Sequence, residues 1–234
     1  LGHCFQSRRP GGKRLLTGAT GFFGPFLLHS LLRQTPCTCH VLVRATDRAH
    51  GMDRIRAALR RSGVWTPDLD DVLRDRMRVV CGDLTQPDLG LEAGQWQALT
   101  RKVHAVFHCA ALVNYSLNYD ALRPHNVEAT RALLRFAAAG VRKEFHFVSS
   151  TLIFGWTTKS LVTEADDNDD MANLDFGYAQ SKWVSEQLVL AAERQGLAVR
   201  IYRASTISAS TGGVGNRDDI VVRLLAFMIN HGLA

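Results

Sequence analysis

Three glycines in the run Thr17-Gly18-Ala19-Thr20-Gly21-Phe22-Phe23-Gly24 constrain this chain more than any other feature. The run lies between a short apolar stretch, Lys13–Thr17, that reads as a strand, and Phe22–Arg33, whose Phe22, Phe23, Phe26, Leu27, Leu31 and Leu32 recur at helical spacing. A strand that turns straight into a helix needs residues without a Cβ. A helix amino terminus also offers free N–H groups and partial positive charge to an anion. At the first strand–helix turn, this spacing points to a dinucleotide pyrophosphate.

Strand and helix patterns continue to alternate downstream. His40–Arg44, Met77–Cys81, Ala105–Cys109, Glu144–Ser149 and Ala198–Tyr202 read as strands, and Met52–Ser62, His125–Ala139 and Phe176–Arg194 as helices. Continuous apolar strands separated by amphipathic helices predict an α/β fold, a doubly wound parallel sheet of Rossmann type. The acidic stretch Asp166–Asp170 and the Gly/Ser/Thr-rich stretch Ser208–Asn216 read as loops.

Composition excludes several classes. The formal charge is +6, from 28 Lys and Arg against 22 Asp and Glu, with arginines concentrated between Arg44 and Arg78. No aromatic-and-basic interleaving accompanies them, so they read as a solvated helix face, with one or two free to meet a phosphate, and no nucleic-acid partner is expected. The apolar stretches are interrupted by charges, so no membrane span is expected. Cys4, Cys37, Cys39, Cys81 and Cys109 are odd in number and lack zinc-site spacing, which predicts no metal and a reducing, cytoplasmic setting.

Arg44 stands at the end of the second strand, where an acid would favour NAD and an arginine suits the 2′-phosphate of NADP. Asp47 keeps NAD open, and Arg54 is either a second phosphate clamp or surface charge. Asp83 follows the third strand, on the ligand side of such a sheet, where it is able to accept from an adenine amino group. Tyr178 and Lys182 lie four apart on a predicted helix and so share a face. An ammonium beside a phenol lowers its pKa toward the working range of acid–base catalysis. Ser149, Ser150 and Thr151 compete for the carbonyl-binding hydroxyl at the end of the fifth strand, and alternation puts Ser150 on the opposite face from the other two.

These motifs resemble the terminal thioester reductase domains of nonribosomal peptide and polyketide synthetases. That group includes the reductase parts of carboxylic acid and aminoadipate reductases, within the extended short-chain dehydrogenase/reductases. The likeness is carried by the glycine run, Val41-Leu42-Val43-Arg44-Ala45, Gly63-Val64-Trp65, Gly82-Asp83-Leu84-Thr85 and His108-Cys109-Ala110-Ala111-Leu112-Val113-Asn114-Tyr115. Tyr119-Asp120-Ala121-Leu122-Arg123, Asn126-Val127, Tyr178-Ala179-Gln180-Ser181-Lys182, Tyr202-Arg203-Ala204 and Asn216-Arg217-Asp218-Asp219 extend it. The resemblance implies Ser150, Tyr178 and Lys182 as catalytic residues. It implies cofactor contacts by Thr17, Gly18, Thr20, Gly21, Phe22, Phe23, Arg44, Arg54, Asp83, Leu84, Ala110, Lys182 and Tyr202. It further implies NADPH-dependent release of an acyl or peptidyl thioester from the phosphopantetheine of a carrier protein as an aldehyde, in some members reduced on to an alcohol, by a monomeric domain of a larger synthetase.

Residues 1–12 are expected to be a linker or tail, 13–207 the NADP-binding catalytic domain, and 208–234 the start of a truncated substrate-binding lobe, most of which is absent. The chain departs from the family pattern at Ser150, where Thr is frequent, at Ala129, where Gly is usual, and at Ala204-Ser205, where Pro-Gly often stands. Two other readings use the same fold. A sugar-nucleotide epimerase or dehydratase would favour an acid where Arg44 stands. A non-catalytic NADP-binding module would have no need of the Tyr178/Lys182 pair.

Overall fold

The computed structural model describes residues 11–168, 171–210, 212–215 and 219–233. The tail expected over 1–12 therefore falls almost wholly outside the described residues, as do Asp169, Asp170, Asn216, Arg217 and Asp218.

Six strands form one parallel sheet: β1 (Lys13–Thr17), β2 (Thr38–Val43), β3 (Met77–Cys81), β4 (Ala105–His108), β5 (Glu144–Ser150) and β6 (Ala198–Ala204). Their order is β3-β2-β1-β4-β5-β6. The chain leaves β1 toward β2 on one side and returns to β1's other flank at β4, so the carboxyl ends of β1 and β4 border the crevice where such sheets bind ligands. In β1, every residue after Lys13 is buried, and all of β4 is buried. That is the mark of strands covered on both faces.

Helices α1 (Gly24–Gln34), α2 (Arg48–Arg61) and α3 (Leu69–Arg76) cover one face, packing Leu28, Leu31, Ile55, Leu59 and Leu73 against Val41 and Phe107. On the other face lie α4 (Ala93–Lys102), α6 (Ala129–Ala138) and α7 (Gly177–Arg194), which bring Leu99, Leu133, Phe136 and Val189 onto Leu15, Val106 and Phe145. Fully burying one such side chain contributes about 1.5–3 kcal/mol. The remaining helices are α5 (Tyr119–Arg123) and α8 (Ile220–Asn230).

Three differences from the sequence expectation have physical causes. α1 begins at Gly24 rather than Phe22, because the preceding residues are spent in the turn, and Pro25 suits the first helical turn. Where one helix was expected from His125, α5 and α6 run together through a π turn at Pro124–Glu128. The wider turn accommodates a proline that has no N–H to donate. α3 and α4, short helices without a long apolar period, were not anticipated. α8, capped by the Asp219 carboxylate on Val221 N at 2.9 Å, carries exposed Leu224, Leu225, Phe227 and Ile229. No helix among the described residues is long and apolar enough to cross a membrane.

Candidate functional site

A cavity of about 790 Å³ opens at the carboxyl ends of the strands. One end is built by the glycine turn. Gly18 sits at φ 80°, where a Cβ would lie 2.7 Å from Ala110 N. At Gly24 a Cβ would lie 2.0 Å from the Gly18 carbonyl oxygen. The turn therefore closes only without side chains at these positions. The amino terminus of α1 has no side-chain cap and no acid in its first turn. Its N–H groups and dipole are left for a ligand anion, which fits a dinucleotide pyrophosphate.

Gly18, Thr20, Gly21, Phe22 and Phe23 all line this cavity. So do Arg44, Arg54, Asp83, Leu84 and Ala110. Arg54 reaches from α2 to donate through Nη1 to the Arg44 carbonyl oxygen. This contact sets the Arg54 guanidinium beside the end of β2, where Arg44 also lines the cavity. Asp47 does not line it. Its Oδ1 accepts from His50 N at 2.9 Å as the cap of α2. Asp83 Oδ1 accepts from Thr85 N at 2.9 Å and from the Thr85 hydroxyl at 2.8 Å.

Ser150, Tyr178 and Lys182 line the other end of the cavity. α7 brings Tyr178 and Lys182 from successive turns, and β5 ends at Ser150. Ser149 is not free: its hydroxyl donates to Glu186. The Ser150 oxygen accepts from Leu152 N at 3.2 Å, which leaves its proton for another acceptor. Thr151 also lines the cavity, and its side chain is exposed. Ser150 is thus the better placed of the three.

The electrostatics differ from the expectation that Lys182 would make the phenol more acidic. Lys182 Nζ donates to the Val148 carbonyl at 2.6 Å and lies 4.1 Å from the Phe147 ring centre. Burial lowers its pKa to about 7. At Lys182 desolvation outweighs the opposing charge of Glu186. Burial also pushes Tyr178 up to about 12, with Tyr115 adding to the shift. The phenol is therefore held in its proton-bearing form.

Two residues expected at the cofactor do not line the cavity. Thr17 is fully buried beneath the turn. It shares a sheet face with its register partner His108, whose Nδ1 its hydroxyl meets at 2.9 Å. Tyr202, in register with Val148, lies against His146, with its hydroxyl 2.8 Å from His146 Nδ1, and does not line the cavity.

Sequence reading missed the groups that hold the site together. Thr130 donates to the Asn126 carbonyl at 2.7 Å and sits 3.0 Å from His108 Nε2. Its proton is spent there, so Nε2 is the donor and Nδ1 accepts from Thr17. Burial lowers the His108 pKa to about 3, which keeps the ring neutral in that tautomer. Asn126, on the π turn, accepts from Leu112 N at 2.8 Å and donates to Leu112 O at 3.1 Å and Ser181 Oγ at 2.9 Å. It thereby ties the strand end after β4 to α7. Below Lys182, the fully buried Glu186 takes Arg203 Nε at 2.9 Å and Nη2 at 2.7 Å. Glu186 lies one helical turn beyond Lys182, so the spacing already placed it on that face.

Comparison with known proteins agrees with this fold. A polypeptide of the linear gramicidin synthase of Brevibacillus parabrevis is 40% identical over 224 residues, covering 94% of this chain and 4% of that protein. The L-2-aminoadipate reductase large subunit of Penicillium chrysogenum is 39% identical over 236 residues, covering 93% of this chain and 16% of that protein. Among solved structures, the terminal R domain from the myxalamid PKS-NRPS biosynthetic pathway superposes with a TM-score of 0.90 at 38% identity, covering 97% of this chain and 58% of that one. The chain thus spans a small part of these curated relatives and little more than half of the solved domain. The sequence family described as Male sterility protein, an NAD-binding family, matches residues 16–234, and the chain belongs to it.

Proposed function

We propose that this chain is the NADPH-binding and catalytic portion of an oxidoreductase that releases a carrier-bound acyl or peptidyl thioester as an aldehyde. The observation that carries the reading is the single cavity with an anion cradle and two arginines at one end and Ser150, Tyr178 and Lys182 at the other. The named reductases among its relatives support the reaction class. On this reading residues 13–207 bind the cofactor, and 208–234 begin the substrate-binding part. Asp219 and Val221 already reach the same cavity wall.

Gly18, Gly21 and the α1 amino terminus would hold the pyrophosphate, while Arg44 and Arg54 would hold the 2′-phosphate, and the chemistry supplied by the bound dinucleotide would be hydride for the thioester carbon. Ser150 donates a hydrogen bond to the carbonyl oxygen, and Tyr178 delivers the proton that this oxygen takes up. The resulting hemithioacetal then breaks its C–S bond. Its hydroxyl proton goes to the departing pantetheine sulfur, and an aldehyde remains. Lys182 holds the nicotinamide ribose and returns positive charge to the phenol as it loses its proton. The same residues serve a second reduction, of the aldehyde to an alcohol.

NADPH consumption with an acyl-pantetheine or acyl-CoA thioester tests the reaction, and no consumption with any thioester overturns it. Arg44→Ser tests the cofactor. Losing a charged hydrogen bond to phosphate costs about 1.5–3 kcal/mol, which corresponds to NADPH binding about 10- to 100-fold weaker. NADH binding is expected to change little. Equal losses for both cofactors would remove Arg44 from the 2′-phosphate.

A further inference from the structure

The residue before Tyr178 is Gly177, and the chain packs directly on it. A Cβ there would lie 2.4 Å from the Asn118 carbonyl carbon and 2.5 Å from Leu117 O and Tyr119 N. The loop of residues 114–119 therefore rests backbone to backbone on the start of α7. Asn114 shapes this loop, its Oδ1 accepting from Ser116 N at 2.8 Å and Leu117 N at 3.1 Å. The distance from the loop to Tyr178 is set by main-chain contact rather than by flexible side chains.

This packing delivers one ring to the site. Tyr115 meets Tyr178 edge-on, with centroids 5.7 Å apart and planes at 71°. It meets Phe176 in the same way at 5.8 Å and 80°. All three rings line the cavity. Backbone position alone leaves the Tyr178 side chain free to turn about its own bonds, so a rigid neighbour is needed to fix where its hydroxyl points.

We propose that Tyr115 is a positioning residue: its ring, wedged between Phe176 and Tyr178 by the close approach at Gly177, holds the Tyr178 phenol at the angle from which its proton reaches the substrate carbonyl. The inference rests on the reading of Tyr178 as proton donor.

Small misplacements of a catalytic group cost up to about 100-fold in rate. Tyr115→Leu keeps apolar bulk but removes the ring, and kcat is expected to fall about 10- to 100-fold. KM for the thioester and Kd for NADPH are expected to stay near their parent values. Tyr115→Phe restores the ring and is expected to recover most of the rate. Gly177→Ala, which lifts the loop while leaving Tyr115 in the chain, is expected to behave like Tyr115→Leu.

A second readout needs no turnover. Fluorine NMR of protein labelled with 3-fluorotyrosine reports on Tyr115, Tyr119, Tyr178 and Tyr202, and the signal lost in Tyr178→Phe assigns the third. That signal is expected to shift and broaden in Tyr115→Leu and to keep its parental position in Tyr115→Phe. An unchanged Tyr178 signal and unchanged kcat in Tyr115→Leu overturn the proposal. If the parent chain reduces no thioester, the proposed reaction fails, and the fluorine signal alone decides whether Tyr115 sets the phenol.

Discussion

Replacing Tyr178 by Phe is expected to lower thioester reduction by about a hundredfold to ten-thousandfold, the range that a positioned proton donor contributes. The change removes a single oxygen. The ring stays, so the contact with Tyr115 at 5.7 Å and the burial at 8% exposure are kept. The pyrophosphate cradle and Arg44 belong to other elements, so NADPH affinity is expected to remain within about twofold, since distant, independent sites behave additively. Because burial holds the phenol at about 12, its proton is in place throughout the neutral range, and the parent's rate is not expected to fall through ionisation of Tyr178 below that value. Steady-state NADPH oxidation, with fluorescence titration of the cofactor in parallel, checks both halves. A rate within tenfold of the parent would show that another group, or water, carries the proton.

The largest effect on stability is expected at Arg203. Glu186 is fully buried, and its Oε1 takes two bonds from the Arg203 guanidinium. The same guanidinium donates to Asp166 O at 2.7 Å and lies over the Phe154 ring at 5.0 Å. It thereby fastens the segment before α7 to the sheet. Arg203→Met leaves a carboxylate in the interior with the Ser149 hydroxyl as its remaining bond. Stranding one partner of a buried pair costs about 3–5 kcal/mol. For a domain of this size that is a fall in melting temperature of about 6–20 °C. Changing Glu186 to Leu in the same chain removes the stranded charge and is expected to regain most of the loss. Thermal unfolding of the two variants measures this directly. A single variant that melts within about 2 °C of the parent would mean that water or a rearranged side chain satisfies Glu186.

Much of the scaffold was legible because its cues are local. The glycine run, the apolar strands and the Tyr178/Lys182 spacing each depend on residues a few positions apart, and the right-handed crossovers imply the doubly wound arrangement. The supports of the site were not legible, because they join distant segments. Thr17 meets His108, His108 meets Thr130, and Asn126 meets Ser181, and no periodicity relates these residues. The resemblance implies Tyr202 at the cofactor, while strand register sets its hydroxyl against His146. The acidity of the phenol was misjudged for a similar reason. Spacing reveals that an ammonium is near, but only the packed structure reveals how completely both groups have lost water. α5 was hidden by Pro124, whose effect as a breaker is absorbed by a π turn.

The central position of β1 has a consequence for how the protein is made. Arg14 to Thr17 align with Ala105 to His108 on one flank, while Lys13 to Thr17 align with Thr38 to Leu42 on the other. As the chain leaves the ribosome, Leu15 and Leu16 gain their first neighbouring strand early and their second only after residue 108 has emerged. At roughly 5–20 residues per second, that interval lasts about 3–13 s. Through it, the nascent sheet presents the open flank of β1 as well as its outer edge, and this is the period in which a chaperone has most to protect.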